Sequence, residues 1–387
     1  MYDAVVVGGG IVGSSVGYHL ARAGVETLLV DRRDAGRATT AGAGIVSPGT
    51  SSRTADDDWF AFATDAVDYY PELVDRLAAA GVDDTSYGRV GLIAAAIDDD
   101  ELAPYEEATA RIEARRERLP AIGTIDPSVA TDRVPALAEP QRAFSVPDAA
   151  RVNGQVFASA LREAGRTHGL ETVEGDVTGV RTEGGRGTRS GGELGEARVT
   201  GVETADGDRI DADRVVIAGG AWSPAFGEDL GVSIPVEPKR GQIVHLDLLD
   251  ADTGSWPVLK GFRHHYIVPW PDGRLVAGAT REAGSGFDPR VTAGGLREVL
   301  EEALRLAPGL VDATVIEHRV GLRPACVDGV PVLGAIPDVE GAYLATGHGA
   351  TGLTLGPYSG KLVADHVTEE TPIPDSVSVA RFEDEPR

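Results

Sequence analysis

A chain of 387 residues, 42% of them hydrophobic, is long enough for two domains or for one large domain with a lobe, and it contains no apolar run near the roughly eighteen residues that a membrane-crossing helix needs. Its 61 acidic residues against 36 basic ones leave a formal charge of −25, a surface that repels nucleic acid and anionic lipid. The single cysteine, Cys326, excludes an intrachain disulfide and a multi-cysteine metal site. Only three of the basic residues are lysines, Lys239, Lys260 and Lys361. This acidic, lysine-poor balance predicts a halophilic protein whose self-repulsion is screened where the Debye length falls to roughly 3 Å, at about 1 M salt. The N-terminus reads as a strand without the basic start of a signal peptide, so the expected location is cytoplasmic, with a peripheral position on the inner face of the membrane left open.

Along the chain, the apolar residues Val5, Val6 and Val7 end in Gly8-x-Gly10-x-x-Gly13, and a helical pattern runs on to Leu20. A second apolar run, 27–30, closes at Asp31 and Arg32. Gly8 suits a tight turn, Gly10 lets the backbone approach a pyrophosphate, and Gly13 lets the helix pack on the strand. The helix start at Ile11 and Val12 offers free N–H groups and a positive dipole end to phosphates. Asp31 can accept hydrogen bonds from a ribose 2′-OH. Strand, helix, second strand and acid together predict a dinucleotide site.

The segment 38–49, ATTAGAGIVSPG, is a loop of small residues that can run beside a flat ligand, with Thr39, Thr40, Ala43, Gly44 and Ile45 as candidate contacts. Helical periodicity covers 59–80, 89–97 reads as a strand, 99–118 as a charged and exposed helix, and 153–168 as an amphipathic helix. Residues 172–182 and 198–204 predict a hairpin whose Gly-rich connection, 183–196, is expected to be a mobile surface loop. The next strand, 209–217, ends at Gly219, Gly220 and Trp222, either a second place where a cofactor meets the backbone or a plain tight turn. Strands at 236–246, 266–270 and 275–279, a helix at 296–306 and strands at 313–322, 330–333 and 342–345 follow. The glycine-rich turn 347–352 opens a terminal helix in whose first turn Pro357 must fall. The acidic tail after Val367 is expected to be loosely held. His264, His265 and His348 are candidates for lining a pocket. No metal-ligand spacing and no GxSxG or Cys-His hydrolase pattern is present, and no metal is predicted.

Four segments together resemble the D-amino-acid oxidase-type (DAO) family of FAD-dependent oxidoreductases, closest to D-amino-acid dehydrogenase and glycine oxidase: VVVGGGIVGSSVGYHL with Asp31, ATTAGAGIVSPG, HHYIVPWPDGRLVAGAT followed by GLRPACVDGVPVLG, and ATGHGATGLTLGP. The resemblance implies FAD, where Asp31 alone does not separate FAD from NAD. It also implies an α/β fold: a Rossmann-like FAD-binding domain of the glutathione-reductase type, discontinuous over 1–85, 146–233 and 325–370, with an antiparallel-sheet α+β substrate domain at 86–145 and 234–324 and an acidic tail at 371–387. Arg323, in GLRP, matches the family's arginine for the substrate carboxylate, which a guanidinium can grip bidentately. Tyr266 matches a tyrosine of the same pocket. Gly349, Ala350, Thr351, Gly352, Leu353 and Thr354 match the turn over the pyrimidine edge of the flavin, whose N–H groups and helix dipole stabilise negative charge on reduction. Val177 corresponds to the strand whose backbone contacts the adenine.

The chain also departs from the family. Arg281 stands where the glycine-oxidase pattern has an apolar residue, and either favours a polar or acidic substrate side chain or is a solvated strand end. Ala350 replaces a basic residue of some relatives. The spacing around Cys326 differs from that of covalent flavin attachment in sarcosine oxidases, so non-covalent FAD is expected. The implied reaction is oxidative deamination of a D-amino acid to a 2-oxo acid and ammonia, by hydride transfer to flavin N5 with no obligatory protein base. The competing expectations are a glycine-, sarcosine- or proline-type amine oxidase, a 2-hydroxy-acid dehydrogenase, or a partner-dependent flavoprotein subunit. The motifs leave open whether a quinone, a carrier protein or O2 takes the electrons.

Overall fold

The computed structural model describes residues 1–48, 56–184 and 197–382; most of the expected mobile loop, at 185–196, and Gly49 lie outside the described residues. Strands Thr27–Asp31, Tyr2–Val7, Arg209–Ile217 and Ala342–Thr346 lie side by side and parallel. Their central segments, 4–7, 28–30, 215–217 and 344–345, are apolar on both sides because both faces of this sheet are covered. Ala4, Val6, Leu29 and Val216 turn to one face, where they join a core with helices Ile11–Arg22, Asp57–Ala79 and Gly352–Glu369. Val5, Val7, Leu28, Val30, Val215 and Ile217 turn to the other face, against Val177, Val180, Val199 and Val202 of the antiparallel strands Val177–Glu183 and Ala197–Thr204. The register pairs Val7 with both Val30 and Ile217, and Ile217 with Leu344. The strands therefore end level, and the turns that follow Val7, Ile217 and Thr346 meet at one edge, where open α/β sheets bind ligands.

A second sheet runs in the order Thr314–Cys326, Val236–Asp247, Arg274–Gly278, Tyr266–Pro269, Val258–Lys260, Leu92–Ala96, Arg142–Val146 and Gly123–Ile125, antiparallel except where Val258–Lys260 meets Leu92–Ala96. Helix Ala293–Leu306 packs on one face through Val299, Ala303 and Leu306, and helix Leu102–Ala114 on the other through Tyr105, Ala108 and Ile112. The strand Thr314–Cys326 reaches the strand ends of the first sheet, since the N–H of Leu322 donates to the carbonyl of Gly36 at 2.8 Å. Among the described residues no helix is long and apolar enough to cross a membrane.

Four expectations are corrected. The predicted strand 172–182 is two strands: Glu171–Glu174 runs parallel to Thr27–Asp31, and only Val177–Glu183 forms the hairpin with Ala197–Thr204. The break falls at Gly175 and Asp176, where the Asp176 carboxylate pairs with Arg32 at 3.0 Å. The helix expected over 99–118 is a short 3₁₀ turn followed by Leu102–Ala114, and it buries one face instead of standing exposed. The tail is docked as far as Phe382, its last five residues lying outside the described residues: Ile373, Val377 and Val379 are buried, the N–H of Leu333 donates to the carbonyl of Val377 at 2.8 Å, and Arg381 pairs with Asp328 at 2.8 Å.

Finally, Pro357 lies beyond the first turn of the helix Gly352–Glu369. Its missing N–H leaves the carbonyl of Leu353 without the usual helical donor. The hydroxyl of Tyr70, fully buried, donates to that carbonyl instead. Tyr70→Phe strands a buried carbonyl and is expected to cost about 1–3 kcal/mol, read as a lower denaturation midpoint with an unchanged m-value.

Candidate active site

The strand ends of the first sheet and the near ends of the second enclose one cavity of about 480 Å³. Gly8 turns the chain at its floor with φ +108°, and a Cβ there would meet the carbonyl oxygen of Ala218 at 2.5 Å. Gly10 precedes the helix Ile11–Arg22, whose N-cap carries no side-chain hydrogen bond and whose first turn holds no acid. The Ile11 N–H donates to Thr39 Oγ1 at 3.0 Å, which fastens the small-residue loop to the helix start. The helix Gly352–Glu369 also begins at the cavity without a side-chain cap or an acid in its first turn. Two helix N-termini free of negative charge suit a bound anion.

Most of the residues singled out from the sequence converge here. Gly8, Gly10, Ile11, Val12, Asp31, Arg32, Thr39, Ala43, Gly44, Ile45, Val177, Gly219, Gly220 and Trp222 line the cavity, as do Gly349, Ala350, Gly352, Leu353, His264, Tyr266, Arg281 and Arg323. Four others do not line it. Gly13 lies in the first turn of the helix on its side toward the glycine turn, where a Cβ would overlap the Gly8 carbonyl oxygen. Thr40 donates to the Arg37 carbonyl at 2.9 Å, Thr351 to the His348 carbonyl at 2.8 Å, and Thr354 to the Ile45 carbonyl at 3.2 Å. Of the other histidines, His348 lines the cavity and His265 does not.

Two arginines went unread in the sequence. Arg37 lines the cavity, pairs with Asp31 at 2.8 Å and keeps a buried Nε without a partner. Arg162 donates from the helix Gly154–Arg166 to the Gly9 carbonyl at 2.9 Å and to Ser14 Oγ at 2.8 Å, bracing the glycine turn from below. Arg162 looks like an ordinary helix-surface arginine in sequence; only the fold brings it to the turn. A helix start without an acid, whose Ile11 N–H is held by Thr39 and not free as expected, a backbone cradle of glycine turns and a buried guanidinium N–H left over beside an acid fit a dinucleotide with its diphosphate.

At the other end of the cavity stand Tyr266, His264, Arg281 and Arg323. The Arg323 guanidinium lies flat on Gly241, where a Cβ would overlap it, and its Nη1 donates to the carbonyl of Thr280 at 2.9 Å. Behind it, the Glu282 carboxylate accepts from Arg240, Gln242 and Thr280, each at 2.7 Å. Burial opposes its charge, but these hydrogen bonds hold its pKa below the usual carboxylate value. The loop carrying His264, at φ +70°, is fixed by Glu101, which accepts from the Phe262 N–H at 2.8 Å and pairs with Arg305 at 2.9 Å. Burial raises the Tyr266 hydroxyl pKa, against the pull of Arg323 and Arg281. Burial lowers His348 to about 4, so its imidazole is neutral at pH 7.

A parallel nucleotide-binding sheet joined through one cavity to a second, largely antiparallel sheet defines a two-lobed cofactor-dependent enzyme. The FAD dependent oxidoreductase family (DAO) matches this chain over residues 3–366, and the chain belongs to that family: it is an FAD-binding oxidoreductase. It is 40% identical over 377 residues to an uncharacterized oxidoreductase of Bacillus subtilis, YurR, covering 95% of this chain and 96% of that one. It is 35% identical over 389 residues to a glycine oxidase of Pseudomonas putida, covering 98% of each. The solved structure of iminodiacetate oxidase from Chelativorans sp. BNC1 superposes with a TM-score of 0.86 at 36% identity, covering 97% of this chain and 98% of that one.

Proposed function

We propose that this enzyme oxidises the C–N bond of glycine-type amines, glycine itself or an N-substituted glycine, to an imine that water hydrolyses to glyoxylate and the free amine. The observation that carries the reading is Arg323, a guanidinium seated on Gly241 and tied to the Thr280 carbonyl in the same cavity as the glycine turns of the first sheet. The similarity to a glycine oxidase and to an iminodiacetate oxidase supports a small amine over a D-amino acid with a larger side chain. The loop 38–49 is one of the segments that resemble D-amino-acid dehydrogenase. Its residues Thr39, Ala43, Gly44 and Ile45 share the cavity wall with the glycine turns, so that loop speaks for the cofactor more than for the substrate.

FAD supplies the two-electron acceptor. Its holders, in this reading, are the turns at Gly8–Val12, Asp31, the loop from Thr39 to Ile45, Val177, Gly219–Trp222 and Gly349–Leu353. Arg323 grips the α-carboxylate, with the Tyr266 hydroxyl as a further donor. The cationic Arg323 also favours a neutral over a protonated amine beside it, because like charge disfavours the charged form. A neutral amine has the lone pair that C–N oxidation needs, so no protein base is required. The reading predicts that kcat/KM for glycine and sarcosine exceeds that for D-valine and D-phenylalanine; the reverse order in steady-state assays would return the assignment to D-amino acids.

A further inference from the structure

Three acids line the cavity among the described residues, Asp31, Asp34 and Asp176. All three are engaged by arginine: Asp31 with Arg37 at 2.8 Å, Asp34 with Arg32 at 2.7 Å, and Asp176 with Arg32 at 3.0 Å. They belong to the strand ends and turns of the first sheet. At the Tyr266 end the balance reverses. Arg323 and Arg281 both line the wall there, and among the described residues neither is ion-paired to a carboxylate. The acid next in the chain, Glu282, is already taken by Arg240, Gln242 and Thr280.

In a chain of net charge −25, an acid-free end of the cavity with two guanidinium groups is a costly arrangement, because the two like charges repel. The Arg281 pKa is lowered by burial and by Arg323, and that of His264 by burial, Arg281 and Lys260. Lys260, in register with Tyr266 on the neighbouring strand, is lowered to about 8 by burial, Arg281 and Arg111. One α-carboxylate answers only Arg323. Arg281 is solvent-exposed overall but also lines the cavity wall, so the second carboxylate of a bound ligand can reach it.

We propose that Arg281 forms a second anion subsite, which takes a carboxylate on the nitrogen substituent of the amine whose α-carboxylate Arg323 holds. The substrate class is therefore a secondary amine flanked by two carboxylates. The inference rests on the glycine-type reading above and narrows it.

The test compares the holoenzyme on sarcosine and iminodiacetate, two N-substituted glycines that differ by one carboxylate. The wild type is expected to show the higher kcat/KM for iminodiacetate. In Arg281→Gln the iminodiacetate-to-sarcosine ratio is expected to fall roughly 10–100-fold, the size of one charge-assisted contact, and to fall through KM. Arg281→Lys restores part of it, as a point charge without the bidentate fork. Binding gives a readout independent of turnover: by calorimetry, oxydiacetate, which has no amine to oxidise, binds the wild type more tightly than methoxyacetate, and Arg281→Gln removes the difference. Oxidation of glycine and sarcosine with no preference for iminodiacetate, or equal binding of the two ethers, overturns the subsite alone. A preference for D-aspartate over every N-substituted glycine overturns the placement of the second carboxylate on nitrogen. If no glycine-type amine reduces the flavin, the underlying reading fails and the subsite fails with it.

Discussion

Arg323→Ala is expected to lower kcat/KM for glycine by roughly 10²–10⁴-fold, the equivalent of two charge-assisted hydrogen bonds at about 1.5–3 kcal/mol each. The size follows from how the side chain is held. Gly241 leaves the surface on which the guanidinium lies, the Thr280 carbonyl fixes Nη1 at 2.9 Å, and the Glu282 carboxylate takes the Thr280 hydroxyl at 2.7 Å. A pre-ordered fork loses little freedom when a carboxylate arrives. Removal should raise KM and also lower kcat, because a loosely held amine no longer presents its Cα–H in one orientation. Arg323→Lys keeps the charge but not the plane, and should recover only part of the loss. Steady-state kinetics on protein with full flavin content decide this, and an unchanged kcat/KM would remove Arg323 from substrate binding.

Gly8→Ala is expected to abolish retention of FAD and to destabilise the fold by about 1–3 kcal/mol, the usual cost of a side chain forced into a positive-φ conformation. At φ +108° the new methyl would sit 2.5 Å from the Ala218 carbonyl oxygen and 2.8 Å from its carbonyl carbon. These atoms are backbone of the neighbouring strand end and cannot swing aside as a side chain could. The turn must open, which moves the start of the helix Ile11–Arg22 away from the cavity. Gly123→Ala, where no atom lies within 4 Å of the added carbon, is the control. Flavin absorbance per protein after gel filtration, with thermal unfolding beside it, should separate the two substitutions; a Gly8→Ala protein that keeps stoichiometric FAD would contradict the account of the turn.

What was legible in the sequence is what local chemistry dictates. Gly8, Gly10 and Gly13 could be assigned separate tasks because each task is set by the two or three residues around it, and Asp31 because a strand end fixes where its carboxylate stands. What was not legible depends on partners far along the chain. Arg162 braces a turn more than a hundred residues earlier in the sequence, and nothing beside it distinguishes it from a helix-surface arginine. Pro357 is tolerated inside a helix because Tyr70 replaces its missing donor, a rescue that no local rule contains. The tail reads as loose from its prolines and acids, yet Val377 is fully buried because Leu333 offers it an unpaired strand edge. The run 172–182 is interrupted at Gly175 and Asp176, residues disfavoured in strands, but that its first part pairs with Thr27–Asp31 instead of joining the hairpin depends on partners far along the chain. Arg281 was left between two roles by the sequence; the cavity places it beside Arg323 with no acid at that end.

The measurement that bears most directly on the central claim is anaerobic mixing of the FAD-loaded enzyme with glycine, sarcosine and D-alanine in separate single-turnover experiments, with the flavin absorbance followed and the acid product identified. Rapid and saturable bleaching by glycine and sarcosine, with one glyoxylate formed per flavin reduced, is the predicted result. A flavin that stays oxidised with both glycine-type amines, or that is bleached by D-alanine alone, would contradict it.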